Sequence, residues 1–480
     1  MLFNSIEFLI FFLVVTSIYF IINHKYRWRL LLAVSCIFYL SFIPVYILVL
    51  GALILIDYSM GKFIERSTGK KRRVYLIASV LSLCSVLFIF KYFNFFNANF
   101  SNLAHFLNWN YSIESLSLIL PVGLSFHTFQ SLSYVIEVYK GRQKAEKNLG
   151  IYALYVMFYP QLVAGPIERP QNLLHQFYEE HKFEVKRVII GLQAMLWGFF
   201  LKVVIADRAA MIVNPIYNNV QIYTGMPLII ATYLFAFQIF CDFAGYSLIA
   251  IGCAKVMGFN LMVNFRRPYF ARSIPEFWRR WHISLSTWFR DYVYIPLGGS
   301  RANRGRMILN LFVVFLISGF WHGAAWTFLI WGGLHGLYMV ISLTTNNFRE
   351  KFTNIIGLKK LPKIHCIVKI LITFNLAAFG WIFFRANSLS DAVYIVTHLF
   401  TNLNLSFLDS GLAFNRINLL ILVLFILFME IIHFIQETKG IRSIFDKLPP
   451  YVRIIIYYFL LLLILLFGVF NKTEFIYFQF

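Results

Sequence analysis

Between Pro275 and Arg306 the chain reads PEFWRRWHISLSTWFRDYVYIPLGGSRANRGR. Arg279, Arg280, Arg290, Arg301, Arg304 and Arg306 are interleaved with tryptophans and tyrosines around a histidine, His282. A second histidine follows the next apolar run, His322 in SGFWHGAAW, with Trp321 and Gly323 beside it. Ionisable groups within or beside a bilayer are expensive, so they mark sites or pathways. Imidazole is the side chain suited to accept a proton near neutral pH. His322 therefore reads as a general base, set where Gly319, Gly323, Ala324 and Ala325 allow close backbone approach and leave room for a substrate group. Position alone gives equal weight to a structural alternative, a histidine that hydrogen-bonds between helices.

His282 is harder to place. Helical spacing puts Trp278, Trp281, His282, Leu285 and Trp288 on one side of a helix, with Arg279, Arg280 and Arg290 nearer the other. On physics alone the better reading is an amphipathic helix lying in the membrane interface. A helix that dips into a bundle would instead carry His282 toward a cavity. His335, in WGGLHGLY, is a third intramembrane histidine, but it stands thirteen residues from His322 with no carboxylate near, which argues against a metal site. Asp242, in FQIFCDFAGYSLIAIG, is a carboxylate inside an apolar run. It is a substrate-site candidate by default, or else the counter-ion of a buried arginine or the anchor of a histidine. The stretch 121–142 carries a polar stripe of His127, Gln130, Ser131, Tyr134 and Glu137, either helix–helix hydrogen bonding or a cavity wall. There is no Walker A motif, GxSxG elbow or HExxH.

The elements that position these groups are membrane helices. Of 480 residues 60% are hydrophobic and 13% charged, about half the charged share of a soluble domain. The net charge of +22 does not point to nucleic acid, because the basic residues sit in short loops between apolar runs, the positive-inside pattern. The five cysteines are scattered without CxxC spacing and read as buried apolar residues. The N-terminus lacks a basic n-region and a cleavage site and reads as a retained first span. Twelve spans, give or take two, are expected at 3–22, 30–43, 45–57, 74–95, 118–137, 188–206, 227–253, 307–320, 324–344, 367–384, 417–436 and 453–470. The run 151–165 leads into YPQLVAGPIERP, whose prolines break a helix, and is expected to be re-entrant. The basic loops 24–29, 69–73, 139–147, 266–306, 349–363 and 439–447 should face the cytoplasm, and 97–117 and 386–415 the outside. Both termini then lie outside. The expected fold is all-α, a polytopic bundle of about 11–12 membrane helices forming one domain over 1–480.

FWRRWHISLSTWFRDYVYIPLGGSR followed by SGFWHGAAWTFLIWGGLHG closely resembles the membrane-bound O-acyltransferases, in particular the alginate O-acetyltransferase branch. PVGLSFHTFQSLSYVIEVYKG, the YPQLVAGPIERP turn and the terminal FIYFQF carry the same likeness, from near the N-terminus to Phe480. The resemblance implies a multi-pass protein of the bacterial inner membrane that moves an acyl group, most often acetyl, from a cytoplasmic thioester to an extracytoplasmic polysaccharide such as alginate. It implies His322 as catalytic base and His282 as second catalytic position. Arg279, Arg280, Trp321 and Asp242 are the substrate-binding candidates, the arginines suited to an anionic donor such as acetyl-CoA or an acyl carrier protein. No bound cofactor and no metal are expected. The implied partners are membrane lipids, the donor, the polysaccharide and a separate extracytoplasmic acetyltransferase protein, since no external segment is large enough to hold a glycan. Two rivals remain at this stage: a transporter that moves an acyl group, lipid or glycan without chemistry, and an acyltransferase acting on a lipid.

Overall fold

A computed structural model describes residues 1–163, 165–404, 416–438, 445, 447–470 and 475–476. Part of the expected outer segment 386–415, most of the basic loop 439–447, Ala164 and most of the terminal FIYFQF lie outside the described residues. Among those described, the chain is helical with no strand.

All twelve expected spans fall on helices. In chain order these are α1 Ile6–Ile21, α2 His24–Leu40, α3 Tyr46–Arg66, α4 Gly69–Phe106, α5 Leu124–Tyr139, then, after a short helix α6 Leu149–Met157, α7 Val185–Asn218, α8 Met226–Met257, the two short helices α9 Ile274–Arg280 and α10 Ile283–Phe289, and finally α11 Arg304–His322, α12 Trp326–Thr344, α13 Pro362–Arg385, α14 Arg416–Thr438 and α15 Pro450–Phe467. Nine of them, among the described residues, are long and apolar enough to cross a membrane. The other three expected spans, α1, α2 and α5, have 16, 17 and 16 residues. At 1.5 Å per residue they reach about 24–26 Å, short of a hydrocarbon core of about 30 Å. For α5 the shortfall lies at its start, because residues 118–123 are not helical and Gly123 stands in the left-handed region.

The described chain groups into two compact units, residues 1–195 with 247–262 and residues 196–246 with 263–480, so α7 and α8 each contribute to both. Within the first unit α6 stops at Met157 and the chain runs irregularly to Pro170, as the prolines require. This broken backbone is buried in protein, with Phe158, Tyr159, Leu162, Ile167 and Glu168 inaccessible. Tyr155 donates its hydroxyl to the Glu168 carbonyl at 2.9 Å, Gln161 donates to the Tyr155 carbonyl at 2.8 Å, and Ser35 Oγ accepts from the Tyr159 amide at 3.1 Å. The polar stripe on α5 binds neighbouring segments. Gln130 donates to the Tyr155 carbonyl, the Tyr134 hydroxyl accepts from the Glu146 amide at 2.9 Å, and Glu137 accepts from Gln171 at 2.7 Å.

Small residues set how closely the second unit's helices approach. A Cβ on Gly319 of α11 would lie 2.3 Å from the Phe328 carbonyl oxygen, and one on Gly332 of α12 would lie 2.4 Å from the Phe315 carbonyl oxygen. Only glycine allows this approach, and it locks α11 and α12 into one hairpin. In the same unit α7 carries a π turn at Phe200–Ala206. Its i→i+5 register brings Lys202 and Asp207 onto one face, a pairing that α-helical spacing would separate.

Candidate active site

His322 is the last residue of α11, and Gly323 takes an extended conformation that turns the chain toward α12. The imidazole is buried among rings, with centroids at 4.9 Å to Trp321, 5.0 Å to Trp331 and 5.4 Å to Phe384. The glycines around it allow the close backbone approach that their size suggests. A Cβ on Gly323 would fall 2.1 Å from the Phe328 ring, and the space beside Gly319 is taken by Gly332 and by the Phe328 carbonyl. The glycines admit α12, and α12 in turn brings Trp331 against the histidine.

His335 lies one helical turn beyond Trp331 on the same face of α12. Trp278 of α9 donates its indole N–H to His335 Nδ1 at 3.2 Å. Since indole is a donor only, that bond assigns the ring proton of neutral His335 to Nε2. The rings of Trp331, Tyr338, Phe277 and Trp381 also surround it, at 5.1 Å, 5.7 Å, 6.3 Å and 6.4 Å. His322 and His335 thus belong to one aromatic cluster drawn from α9, α11, α12 and α13.

At His282 the structure departs from the single amphipathic helix expected. The helix breaks there: α9 ends at Arg280, and His282 adopts φ 41° and ψ 57°, the left-handed region, before α10 starts. A non-glycine residue in that region is uncommon, and such residues gather at functional sites. Asn264 holds the break. Its Oδ1 accepts from Ser284 Oγ at 2.7 Å and from the Ser284 amide at 3.3 Å, while its carbonyl accepts from the Ile283 amide at 2.9 Å. The break turns the imidazole inward to zero exposure, against Phe243 at 4.6 Å and Phe265 at 6.4 Å. Burial pushes its pKa down to about 3, so it stands neutral.

The two arginines beside it differ. Arg280 grips Glu437 with a fork, Nη2 to Oε1 at 2.8 Å and Nη1 to Oε2 at 3.1 Å, and Nη2 also reaches Glu276 at 2.7 Å. Arg267 adds a bond to Glu437 at 2.8 Å. Arg279 is exposed, with no hydrogen bond or ion pair to any described residue. Asp242 is buried, with Lys202 Nζ at 2.7 Å from Oδ1 and the Ile476 amide donating to Oδ2 at 2.8 Å. Lys202 also meets Asp207 at 2.7 Å. The counter-ion alternative for Asp242 is thus realised with a lysine. Sequence reading missed Lys202, since a lone lysine in the run 188–206 looks like an interruption of a span. The pair Lys202 and Asp207 five residues apart, facing another intramembrane carboxylate, was the signal available.

His322 and His335 share one ring cluster, whereas His282 packs separately against Phe243 and Phe265. Among the described residues no group of His, Cys, Asp and Glu could hold a metal ion. The profile of the membrane-bound O-acyltransferase family (MBOAT) matches residues 148–388, which include every candidate above. The chain is 37% identical over 396 residues to the probable alginate O-acetylase AlgI of Pseudomonas aeruginosa, covering 82% of this chain and 73% of that protein. It is 34% identical over 396 residues to the peptidoglycan O-acetyltransferase of Helicobacter pylori, covering 77% and 73%. It is 30% identical over 285 residues to the teichoic acid D-alanyltransferase of Bacillus subtilis, covering 56% and 69%.

Proposed function

Because the chain belongs to the membrane-bound O-acyltransferase family and is a membrane O-acyltransferase, we propose that it transfers acetyl from a cytoplasmic thioester to an extracytoplasmic polysaccharide. Family membership favours chemistry over the transporter reading. The relatives at higher identity carry names of alginate and peptidoglycan acetylation, which favours acetyl and a glycan over a lipid acceptor, with alginate or a similar polymer as the first choice. Residues 1–480 act together as one catalytic domain in the bacterial inner membrane. The donor is acetyl-CoA or an acyl carrier protein, and a separate extracytoplasmic protein completes delivery to the sugar.

The observation that carries this reading is the position of His322. α11 opens at Arg304 within the basic Arg301–Arg306 stretch, and its 19 residues end at His322, about 28 Å along its axis. If the basic end is cytoplasmic, the imidazole stands near the outer face, where an acceptor hydroxyl arrives. His322 takes that hydroxyl's proton as the oxygen attacks the thioester carbonyl. The C–S bond then breaks and the thiolate leaves, taking up a proton. Through Trp278 the short helix α9 enters the ring cluster of His322 and His335 rather than staying at the basic surface, so His282 just beyond it, neutral and turned inward, is the candidate donor to the oxyanion of the tetrahedral intermediate, and Trp321 borders the acceptor's approach. Arg279 is the candidate contact for the donor's phosphates, with Arg280 and Asp242 holding the elements around it.

The test is single-turnover acetyl transfer by protein reconstituted in liposomes, with labelled acetyl-CoA inside. His322→Ala leaves a hole among three rings, so the bulkier His322→Gln is measured beside it. Both should lose about 10²–10⁴-fold in rate. A variant that keeps more than about a tenth of the wild-type rate removes the base role, given that range.

A further inference from the structure

Arg385 closes α13 with its side chain buried. Its Nη1 donates to Asn387 Oδ1 at 3.1 Å, and its Nη2 donates to Asn214 Oδ1 and Asn218 Oδ1, each at 3.1 Å. The Tyr217 ring centroid lies 5.4 Å from Cζ. None of these partners is charged. Among the described residues no carboxylate pairs with Arg385, and its Nε is buried without a hydrogen-bond partner. Lys202, the other buried cation of the second unit among the described residues, makes the contrast, with two carboxylates at 2.7 Å. Buried charges are normally paired, because amide dipoles alone do not replace the lost hydration of a full charge.

We propose that Arg385, with Asn214, Asn218 and Asn387, forms an oxyanion site that takes a carboxylate or phosphate group of the acceptor. Asn218 and Asn387 are exposed, so an incoming oxyanion reaches the guanidinium by displacing neutral amide oxygens from the solvent side. The planar fork suits a two-oxygen ligand, and the exchange replaces a dipole with the missing counter-charge. The site's end of the helix favours acceptor over donor. α13 begins at Pro362, at the close of the basic stretch 349–363, and its 24 residues carry Arg385 about 36 Å from that end. The preceding residue, Phe384, packs its ring 5.4 Å from His322. The inference rests on the orientation and the acyl transfer proposed above.

The test reads binding without turnover. Thermal unfolding of the full chain in neutral detergent is followed in sodium glucuronate, in sodium phosphate and in sodium chloride at matched ionic strength. Arg385→Gln would strand three asparagines and can fail to fold, so Asn218→Asp carries the experiment. It sets a carboxylate where an amide oxygen now lies 3.1 Å from Nη2, filling the site from within. Wild type should gain about 2–4 °C in at least one of the two oxyanions over chloride. Asn218→Asp should start from a higher midpoint and lose that gain. A response to glucuronate alone assigns a carboxylate, and one to phosphate alone a phosphate group. Equal midpoints in all three salts, an undiminished response in Asn218→Asp, or stabilisation only by phosphatidylglycerol vesicles would overturn the proposal. Active His322 variants would defeat the catalytic reading and leave this measurement standing.

Discussion

Replacing Gly332 with alanine adds one methyl group to α12, on a residue that makes no chemical contribution of its own. The added Cβ would sit 2.4 Å from the Phe315 carbonyl oxygen and 3.1 Å from Gly319 Cα. Carbon and oxygen do not approach closer than about 3.2 Å without strain, and a backbone carbonyl in a helix cannot swing aside, so the two helices must part by close to 1 Å. Overpacking of this kind costs about 1–3 kcal/mol. The larger consequence falls on His322, which ends α11 three residues beyond Gly319 and meets Trp331 of α12 at 5.0 Å. A misplacement of about 1 Å at a reacting centre costs on the order of 10²-fold in rate. Gly333→Ala is the control. Its Cβ would meet only Leu316 Cδ2, at an ordinary 3.6 Å, so it should be neutral or slightly stabilising. The assay is acetyl transfer by both variants in liposomes, with turnover separated from donor affinity, beside thermal midpoints. Gly332→Ala turning over as fast as Gly333→Ala would refute the claim that this glycine seam positions the base.

Arg279→Lys should raise the Michaelis constant for the donor with little effect on stability, whereas Arg280→Lys should lower the thermal midpoint, because an ammonium cannot reproduce the fork on Glu437; equal midpoints and unchanged donor kinetics in both would reduce the pair to a topology signal. Cysteines introduced at 69–73 or 349–363 should resist an impermeant thiol reagent applied outside intact cells, while those at 97–117 or 386–404 react; labelling of 349–363 would reverse the proposed orientation. Glu168, buried in the first unit, has its pKa raised from 4.5 to about 7, chiefly by burial. The folded state then holds a proton that the unfolded chain has released, so this group's contribution to stability falls as pH rises from about 4.5 to about 7. The midpoint of Glu168→Gln relative to wild type should therefore climb across that window, and a pH-independent difference would contradict the assignment.

Much of the fold was legible because burial in lipid leaves a strong local signal. Each of the twelve apolar runs became a helix, and prolines 160, 166 and 170 marked the irregular stretch correctly. What was not legible depends on distant partners. Nothing within 278–289 announces a break at His282, since periodicity is blind to one left-handed residue held by Asn264 from outside the segment. The small size of Gly319 and Gly323 suggests close backbone approach, but a sequence does not show which partners approach; these are Phe328 and Gly332. The ion pair of Arg280 was hidden in the same way, because its partner Glu437 comes from a span far along the chain. Arg385 stands just past an expected span, and only its neutral surroundings set it apart.

The Lys202 pair also bears on how the chain is made. A span bearing a lone lysine enters the bilayer at a penalty of about 2.5–3.5 kcal/mol. The π turn of α7 supplies Asp207 on the same helix, so the lysine emerges from synthesis already beside an opposite charge. Asp242 arrives with the next span and finds a cation waiting. The order of translation therefore matches the order in which the charges need each other. Replacing Asp207 with Asn would leave Lys202 without an opposite charge on its own helix, and the defect would appear first as failed membrane insertion rather than as a slow enzyme.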